Sequence, residues 1–153
     1  MITKFRHPGI VVEDMERSLR FYRDALGFSI VVDEIEKGEY LSRLIGLNDA
    51  IERVVKVAVQ DGTVIELMEM LSPLAQMPST YDFNVIGCNH IAFTVTDIEQ
   101  IYIDLESIGV EFISEPLSSP YDPVKTMFCY DPDKTLIQFV EIFDETTIRK
   151  GLE

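Results

Sequence analysis

Apolar and polar residues along this chain follow one pattern that occurs twice. The segment HPGIVVEDMERSLRFYRDALGFSIV, which starts at His7, aligns with HIAFTVTDIEQIYIDLESIGVEFI, which starts at His90. In each copy a short apolar stretch leads to an aspartate, Asp14 or Asp97, placed where a helix N-cap accepts free backbone N–H groups. An internal repeat of this kind predicts two similar modules.

A helix is predicted after each aspartate, because apolar residues recur there at helical spacing. These residues are Met15, Leu19, Tyr22 and Leu26 in the first copy, and Ile98, Ile101, Tyr102, Leu105 and Ile108 in the second. Gly27 and Gly109 then stand where a left-handed C-terminal cap requires glycine. The pattern therefore predicts both the start and the end of each helix.

Strand-like runs follow each predicted helix. They are FSIVVDEI, RVVKVAVQ and VIELMEM in the first copy, and VEFIS, TMFCYD and LIQFVEIF in the second. Turn signals such as Asp61-Gly62 and Asp131-Pro132-Asp133 separate them. The longer middle of the first copy contains YLSRLIGL, which predicts a short helix. Each copy thus has the order βαβββ, and the predicted fold class is α+β.

The chain is long enough for one compact domain with a substantial core, which we expect to span residues 1–153. Within it we place module 1 at about 1–71, a linker at about 72–84 and module 2 at about 85–145. The linker is polar and carries Pro73 and Pro78, as connecting segments do.

Net charge limits the kinds of partner. The formal charge of −14 repels phosphate backbones and anionic headgroups, so a small-molecule substrate is favoured over nucleic acid or a membrane. The first residues have no signal-peptide features, which predicts a cytoplasmic location. Cys88 and Cys129 lack C-x-x-C spacing and are expected to be reduced thiols. Arg43, Arg53 and Lys125 are interpreted as surface charges, with neutralisation of an anionic substrate as the alternative.

Four polar residues lie in apolar strand segments. Because side chains alternate across a strand, Glu66 in VIELMEM opposes the apolar residues on either side of it. The same reasoning places His7, His90 and Gln138 on the face that no helix covers. His7 and His90 are the two histidines of the chain and occupy equivalent repeat positions.

A curled sheet would bring these faces together in a cleft with two imidazoles, one carboxylate and one amide oxygen. Such a set suits one divalent metal ion, either Zn, Ni, Co, Mn or Fe, with coordination positions left for water or substrate.

The chain resembles the vicinal-oxygen-chelate superfamily, which includes glyoxalase I, methylmalonyl-CoA epimerase, extradiol dioxygenases and bleomycin resistance proteins. The matching elements are, in order, HPGIVVEDMERSLRFYRDALGF, VIELMEM, GCNHIAFTVTDIE and DPDKTLIQFVE. The resemblance implies a cupped mixed sheet with helices on its outer face. It also implies metal ligands from the first and last strand of each module, here His7, Glu66, His90 and Gln138. The last position is often glutamate in this superfamily, so Glu141, three residues further on, is a second-choice ligand or base.

The resemblance implies a metal-dependent lyase or isomerase that acts on a small oxygenated substrate through a chelated enediolate or enolate. Glu66 is the one carboxylate among the four ligands, which makes it the expected general base unless a second base exists. A metal-free, drug-binding protein of the same fold is the alternative, and an extradiol-type dioxygenase ranks below both. Superfamily members often form dimers, so a homodimer is expected.

Overall fold

The chain divides into two compact units in a computed structural model that describes residues 1–144. One unit is Met1–Ser79 and the other begins at Thr80. The boundary falls inside the segment predicted as a linker. That both units form one domain stays a prediction.

The first unit contains four strands and two helices, and a π-helical segment continues its first helix. Its elements are β1 (Gly9–Val12), α1 (Met15–Leu19), the π-helical segment (Arg20–Ala25), β2 (Ser29–Lys37), α2 (Glu39–Ile45), β3 (Ile51–Ala58) and β4 (Val64–Ser72). Its sheet has the order β1-β4-β3-β2, in which β1 and β4 are parallel and the other neighbours antiparallel. The short helix predicted in YLSRLIGL is confirmed as α2.

Up to residue 144, the second unit repeats this arrangement with one helix. Its elements are β5 (His90–Val95), α3 (Ile98–Ser107), β6 (Leu117–Ser118), β7 (Val124–Tyr130) and β8 (Leu136–Ile142). Its sheet has the order β5-β8-β7-β6, in which β5 and β8 are parallel and the other neighbours antiparallel. The predicted α+β class and the βαβββ order of each copy are confirmed.

One predicted strand, VEFIS, is mostly irregular. Phe112 forms a single bridge with Cys129, flanked by backbone hydrogen bonds from Ile113 to Phe128 and from Tyr130 to Glu111, both 2.9 Å. The regular strand β6 starts further on. Pro116 stands between them, and because proline has no N–H to donate, it interrupts a continuous ladder at that point.

Both helices that follow the repeated aspartates begin as predicted. The Asp14 carboxylate accepts a hydrogen bond from the N–H of Arg17, and that of Asp97 accepts one from the N–H of Gln100. The first helix differs from the prediction after Leu19, where the chain widens into the π-helical segment.

Both helices also end as predicted, at glycines with left-handed backbone angles. The φ angles are 76° at Gly27 and 84° at Gly109.

The core of each unit lies between its sheet and the helix of its repeat. In the first unit, residues from both elements are almost fully buried, among them Met15, Leu19, Tyr22, Val55, Val57, Ile65 and Leu67. In the second, Ile98, Leu105, Met127, Cys129, Ile137 and Phe139 are buried in the same way. Strand residues that alternate with these point to the opposite face, where the candidate polar residues lie.

Leu67→Ala tests the assignment of Leu67 to the core. Leu67 is fully buried in β4, so we expect its truncation to lower the free energy of unfolding by about 2–5 kcal/mol. Leu71→Ala in the same strand is the matched control, because Leu71 is 42% exposed and its truncation should change stability by less than about 1 kcal/mol. Urea unfolding of both variants measures the difference, and equal losses would contradict the assignment.

Candidate functional site

His7 and Glu66 are brought together in the first unit. His7 Nε2 lies 3.4 Å from Glu66 Oε1, and each side chain is about one-fifth exposed, at 20% and 19%. Register places them side by side, because Gly9 is the partner of Glu66 in the parallel β1–β4 ladder and His7 precedes Gly9 by two residues. Two residues along an extended chain return to the same face.

His7 itself lies outside the strand in which the sequence places it. Strand β1 begins at Gly9, and Pro8 separates the two. Proline has no N–H for the ladder, but its carbonyl still accepts a hydrogen bond of 3.0 Å from the N–H of Glu66. That bond fixes the backbone beside His7 against β4.

Lys56 is the cross-strand partner of Glu66 on β3. Lys56 Nζ lies 3.1 Å from Glu66 Oε2, so the carboxylate has an imidazole at one oxygen and an ammonium at the other. The Lys56 side chain is 24% exposed. Its neighbours along the strand, Val55 and Val57, are fully buried on the helix side, as alternation requires.

Glu52 lies on the same face of β3 and is 6% exposed. It pairs with Glu36 on β2 and with Met70 on β4. Burial raises the pKa of the Glu52 carboxyl, and the negative charges of Glu36 and Glu66 raise it further. Glu52 is thus a buried acid near the Glu66 carboxylate.

His90 is the first residue of β5 in the second unit, and two rings lie against it. Its ring centroid is 6.5 Å from that of Phe83 in a stacked arrangement and 5.3 Å from that of Phe128 in an edge arrangement. Its side chain is exposed in spite of these contacts.

A hydrogen-bond chain orients the His90 ring. Asn89 Nδ2 donates to the carbonyl of Phe83 at 2.5 Å, which leaves Asn89 Oδ1 as an acceptor 3.0 Å from His90 Nδ1. An acceptor at that distance favours the tautomer with hydrogen on Nδ1. The lone pair of the His90 ring is then on Nε2, where a ligand would be bound.

Gln138 is oriented in a similar way. Thr126 Oγ1 donates its hydrogen to the carbonyl of Phe139 at 2.9 Å, so its oxygen must accept from a neighbour. Gln138 Nε2 donates to it at 2.9 Å. The amide nitrogen therefore faces Thr126, and the Gln138 carbonyl oxygen is left for another partner.

Glu141, the second-choice residue, has a structural role at the start of α3. Its Oε1 accepts from the N–H of Asp97 at 2.7 Å, and its Oε2 accepts from the N–H of Ile98 at 3.3 Å. Both oxygens are therefore used by backbone groups that the first turn of a helix leaves free. This bonding favours Gln138 over Glu141 as the residue of β8 whose side-chain oxygen would bind a metal.

The two halves match in register. Gly9 pairs with Glu66 in one, and Ala92 pairs with Gln138 in the other, two residues after His7 and His90 respectively. Within residues 1–144, no three His, Cys, Asp or Glu side chains are clustered to hold a metal ion. The structure thus brings together His7 and Glu66. It stays a prediction that one metal ion is bound by His7, Glu66, His90 and Gln138.

Arg53 is held by two carboxylates outside this face. Its guanidinium donates to Asp33 through Nε and Nη2, at 2.9 and 2.8 Å, and to Glu16 through Nη1 at 2.7 Å. The guanidinium lowers the pKa of the Asp33 carboxyl. The interpretation of Arg53 as a simple surface charge therefore misses a cation with three specific hydrogen bonds.

Lys56 and Glu52 are the site residues that the sequence analysis misses. The signal was present for Lys56, which is a charge between buried valines in RVVKVAVQ, as Glu66 is in VIELMEM. Glu52 carried no such signal, because its burial depends on which residues of β2 and β4 lie beside it. The roles of Asn89 and Thr126 likewise depend on contacts that only the folded chain makes.

Comparison with known proteins confirms the resemblance inferred from the motifs. A family profile described as the Glyoxalase/Bleomycin resistance protein/Dioxygenase superfamily matches residues 4–139. The uncharacterized protein YwkD of Bacillus subtilis is 24% identical over 144 residues, which are 92% of this chain and 98% of that protein. Lactoylglutathione lyase of Schizosaccharomyces pombe is 26% identical over 143 residues, 90% of this chain and 47% of that protein.

Solved structures share the fold. A glyoxalase family protein from Bacillus cereus has a TM-score of 0.84 at 23% identity and covers 92% of this chain and 95% of its own. The fosfomycin resistance protein FosX from Listeria monocytogenes, in complex with Mn(II) and sulfate, has a TM-score of 0.66 at 17% identity. The match covers 97% of this chain and 99% of the FosX chain. Within residues 1–144, no helix has the length and apolar character that crossing a membrane requires.

Glu52→Gln tests the buried acid. Because the pKa of Glu52 is raised in the folded protein, the folded state binds this proton more tightly than the unfolded state does. The contribution of Glu52 to the free energy of unfolding should be largest below the ordinary value of 4.5 and should fall as the pH rises through the raised pKa.

Glu52→Gln should remove that fall, and its free energy of unfolding near neutral pH should exceed that of the wild type by on the order of 1 kcal/mol. Urea unfolding in EDTA between about pH 4 and about pH 8 measures it. Glu34→Gln, an exposed glutamate on β2, is the control and should keep the wild-type profile. A Glu52→Gln profile parallel to wild type would contradict the assignment.

Proposed function

Because this chain belongs to the Glyoxalase/Bleomycin resistance protein/Dioxygenase superfamily, we propose that it is a divalent-metal-dependent lyase or isomerase. Its substrate is a small molecule with two neighbouring oxygens, and His7, Glu66, His90 and Gln138 bind the metal. The observation that carries this proposal is the approach of His7 Nε2 to Glu66 Oε1 at 3.4 Å, with each side chain about one-fifth exposed. The expected homodimer and cytoplasmic location stay predictions.

The His7–Glu66 spacing fits a metal. Two ligand atoms that each lie about 2.1 Å from a metal ion are about 3.4 Å apart at a tetrahedral angle and about 3.0 Å apart at a right angle. The observed 3.4 Å is longer than a good hydrogen bond between the same atoms. The spacing therefore supports a shared cation.

The second half supports the same proposal, because hydrogen bonds orient its two proposed metal-binding side chains. The Asn89 acceptor leaves His90 Nε2 with the lone pair, and the Thr126 hydroxyl leaves the Gln138 oxygen free. Metal ligands are commonly held by such outer contacts. Two imidazoles, a carboxylate and an amide oxygen suit Zn, Ni, Co, Mn or Fe. The Mn(II) in the related FosX structure is in keeping with this set.

When bound, the metal would supply two coordination positions for neighbouring substrate oxygens and stabilise the negative charge that develops on them. Glu66 is the base, because it is the one carboxylate among the four ligands. Its carboxylate accepts the proton from the carbon next to the substrate carbonyl, and returns it to the same or a neighbouring carbon in an isomerase. Lys56 beside it holds the carboxylate in place.

Metal content is the first test. We expect purified protein reconstituted with Co²⁺ to hold about one ion per chain, and His90→Ala to lose most of it, because a ligand is removed. Thr126→Val should weaken Co²⁺ binding about 10- to 100-fold, because the Gln138 amide loses the hydroxyl that orients it. Elemental analysis and calorimetric titration measure these effects.

Thr94→Val is the control for Thr126→Val, since Thr94 is an exposed threonine of β5 on the same face. It should bind Co²⁺ like the wild type. A His90→Ala protein that keeps a full complement of metal would contradict the ligand assignment.

Glu66→Gln is the test of the base. The amide keeps an oxygen for the metal but accepts no proton, so measurable Co²⁺ should remain while exchange of an acidic C–H with D₂O falls at least about 100-fold. NMR follows the exchange with two probes, hydroxyacetone and the hemithioacetal of methylglyoxal. Glu69→Gln, in the same strand, should exchange at the wild-type rate. Wild-type exchange in Glu66→Gln would rule out Glu66 as the base.

A second candidate function is a metal-free binding protein of the same fold. The Lys56–Glu66 ion pair favours it, because the ammonium balances the carboxylate charge without a metal ion. Elemental analysis also separates these functions. A stoichiometric metal that His90→Ala abolishes supports the enzyme, whereas a protein that binds no added Co²⁺, Zn²⁺, Ni²⁺ or Mn²⁺ supports the binder.

A further inference from the structure

We propose that Lys56 binds the anionic group of the substrate, which makes the substrate a carboxylate with an oxygen on the adjacent carbon. This inference rests on the proposed function and names the substrate class of that site. The position of Lys56, the charge around Glu66 and the contacts of two other strand cations support it.

The position of Lys56 favours contact with a bound substrate. Lys56 pairs with Glu66 across the β3–β4 ladder, so its side chain shares the face of the proposed ligands. The equivalent position of the second half is Phe128, which pairs with Gln138. The two halves of the repeat therefore differ at this position, and the first carries a cation where the second carries an aromatic ring.

The charges around Glu66 also favour an anionic substrate. The Lys56 ammonium is balanced by Glu66, at 3.1 Å from its Oε2. A divalent ion on Glu66 would share that carboxylate, and two positive groups would then contact one carboxylate, with Glu52 as a further acid near it. An excess of positive charge in a partly buried site is relieved by an anion. A substrate carboxylate supplies it.

Two other strand cations, Arg53 and Lys125, have carboxylate partners away from this face. Arg53 donates to Asp33 and Glu16, and Glu16 lies on α1, on the helix side of the sheet. Lys125 Nζ lies 2.5 Å from Glu99 on α3, which is also the helix side of its own sheet. Lys56 is the strand cation whose partner is itself a proposed metal ligand.

The chemistry that fits is a 2-oxo or 2-hydroxy acid. One carboxylate oxygen and the oxygen on the adjacent carbon would be the two neighbouring oxygens of the proposed function. The other carboxylate oxygen would accept a charge-assisted hydrogen bond from Lys56 Nζ. Glu66 would take the C–H proton next to the carbonyl, so no oxidant or reductant is needed.

The test uses oxalate, a planar dianion with two neighbouring oxygens, and imidazole, a neutral metal ligand. Full-length wild type, Lys56→Gln and Lys125→Gln are each titrated with Co²⁺ and then with oxalate or imidazole, by calorimetry and visible absorption. Lys125 is a matched control, because it is also a strand lysine paired with a glutamate and is also 24% exposed.

We expect Lys56→Gln to bind Co²⁺ several-fold more tightly than wild type, because a competing cation is removed. Its Co²⁺ complex should bind oxalate about 10-fold or more weakly, since a charge-assisted hydrogen bond is lost. Imidazole affinity should be unchanged. Lys125→Gln should match wild type in all three titrations.

Equal oxalate affinity in wild type and Lys56→Gln, with Co²⁺ bound in both, would overturn this inference and leave the metal site intact. Equal losses of oxalate and imidazole affinity would also overturn it, because they would indicate a structural role for Lys56. A wild-type protein that binds no Co²⁺ would overturn the proposed function together with the inference.

Discussion

The parallel pairing of the first and last strand in each half is the constraint on which the candidate site depends. Gly9 opposite Glu66, and Ala92 opposite Gln138, fix the register of those strands. A shift of one residue would turn the polar side chains to the helix side and expose the core residues that alternate with them. Burial of the apolar face therefore holds each imidazole on the same face as an oxygen donor.

The two halves use this shared geometry with different chemistry. The first half is charged, with the Glu66 carboxylate between an imidazole and the ammonium of Lys56. The second is neutral, with His90 against aromatic rings and Gln138 bonded to a hydroxyl. A duplicated backbone thus offers equivalent positions, and the residues at those positions decide the charge. The asymmetry is what makes one carboxylate the candidate base.

Orientation of the neutral donors depends on hydrogen-bond direction rather than on packing. The Thr126 hydroxyl has one hydrogen, and the Phe139 carbonyl takes it, so the Gln138 amide must present its nitrogen to Thr126. Asn89 acts in the same manner on His90. Glu141 is used differently, since two backbone N–H groups at the start of α3 occupy its oxygens. Glu141 therefore has a structural role at the start of α3, whereas Gln138 on the same strand is the candidate metal ligand.

The sequence by itself determined the repeat, the α+β class, the helix caps and the strand face of Glu66, because these follow from periodicity and local backbone chemistry within a few residues. Only the tertiary structure decided that Lys56 meets Glu66, that Glu52 is buried beside other carboxylates and that VEFIS is mostly irregular. Those features depend on strand register and on neighbours from distant segments. Local periodicity specifies a face, whereas the partner on that face is specified by which strand the fold places next to it.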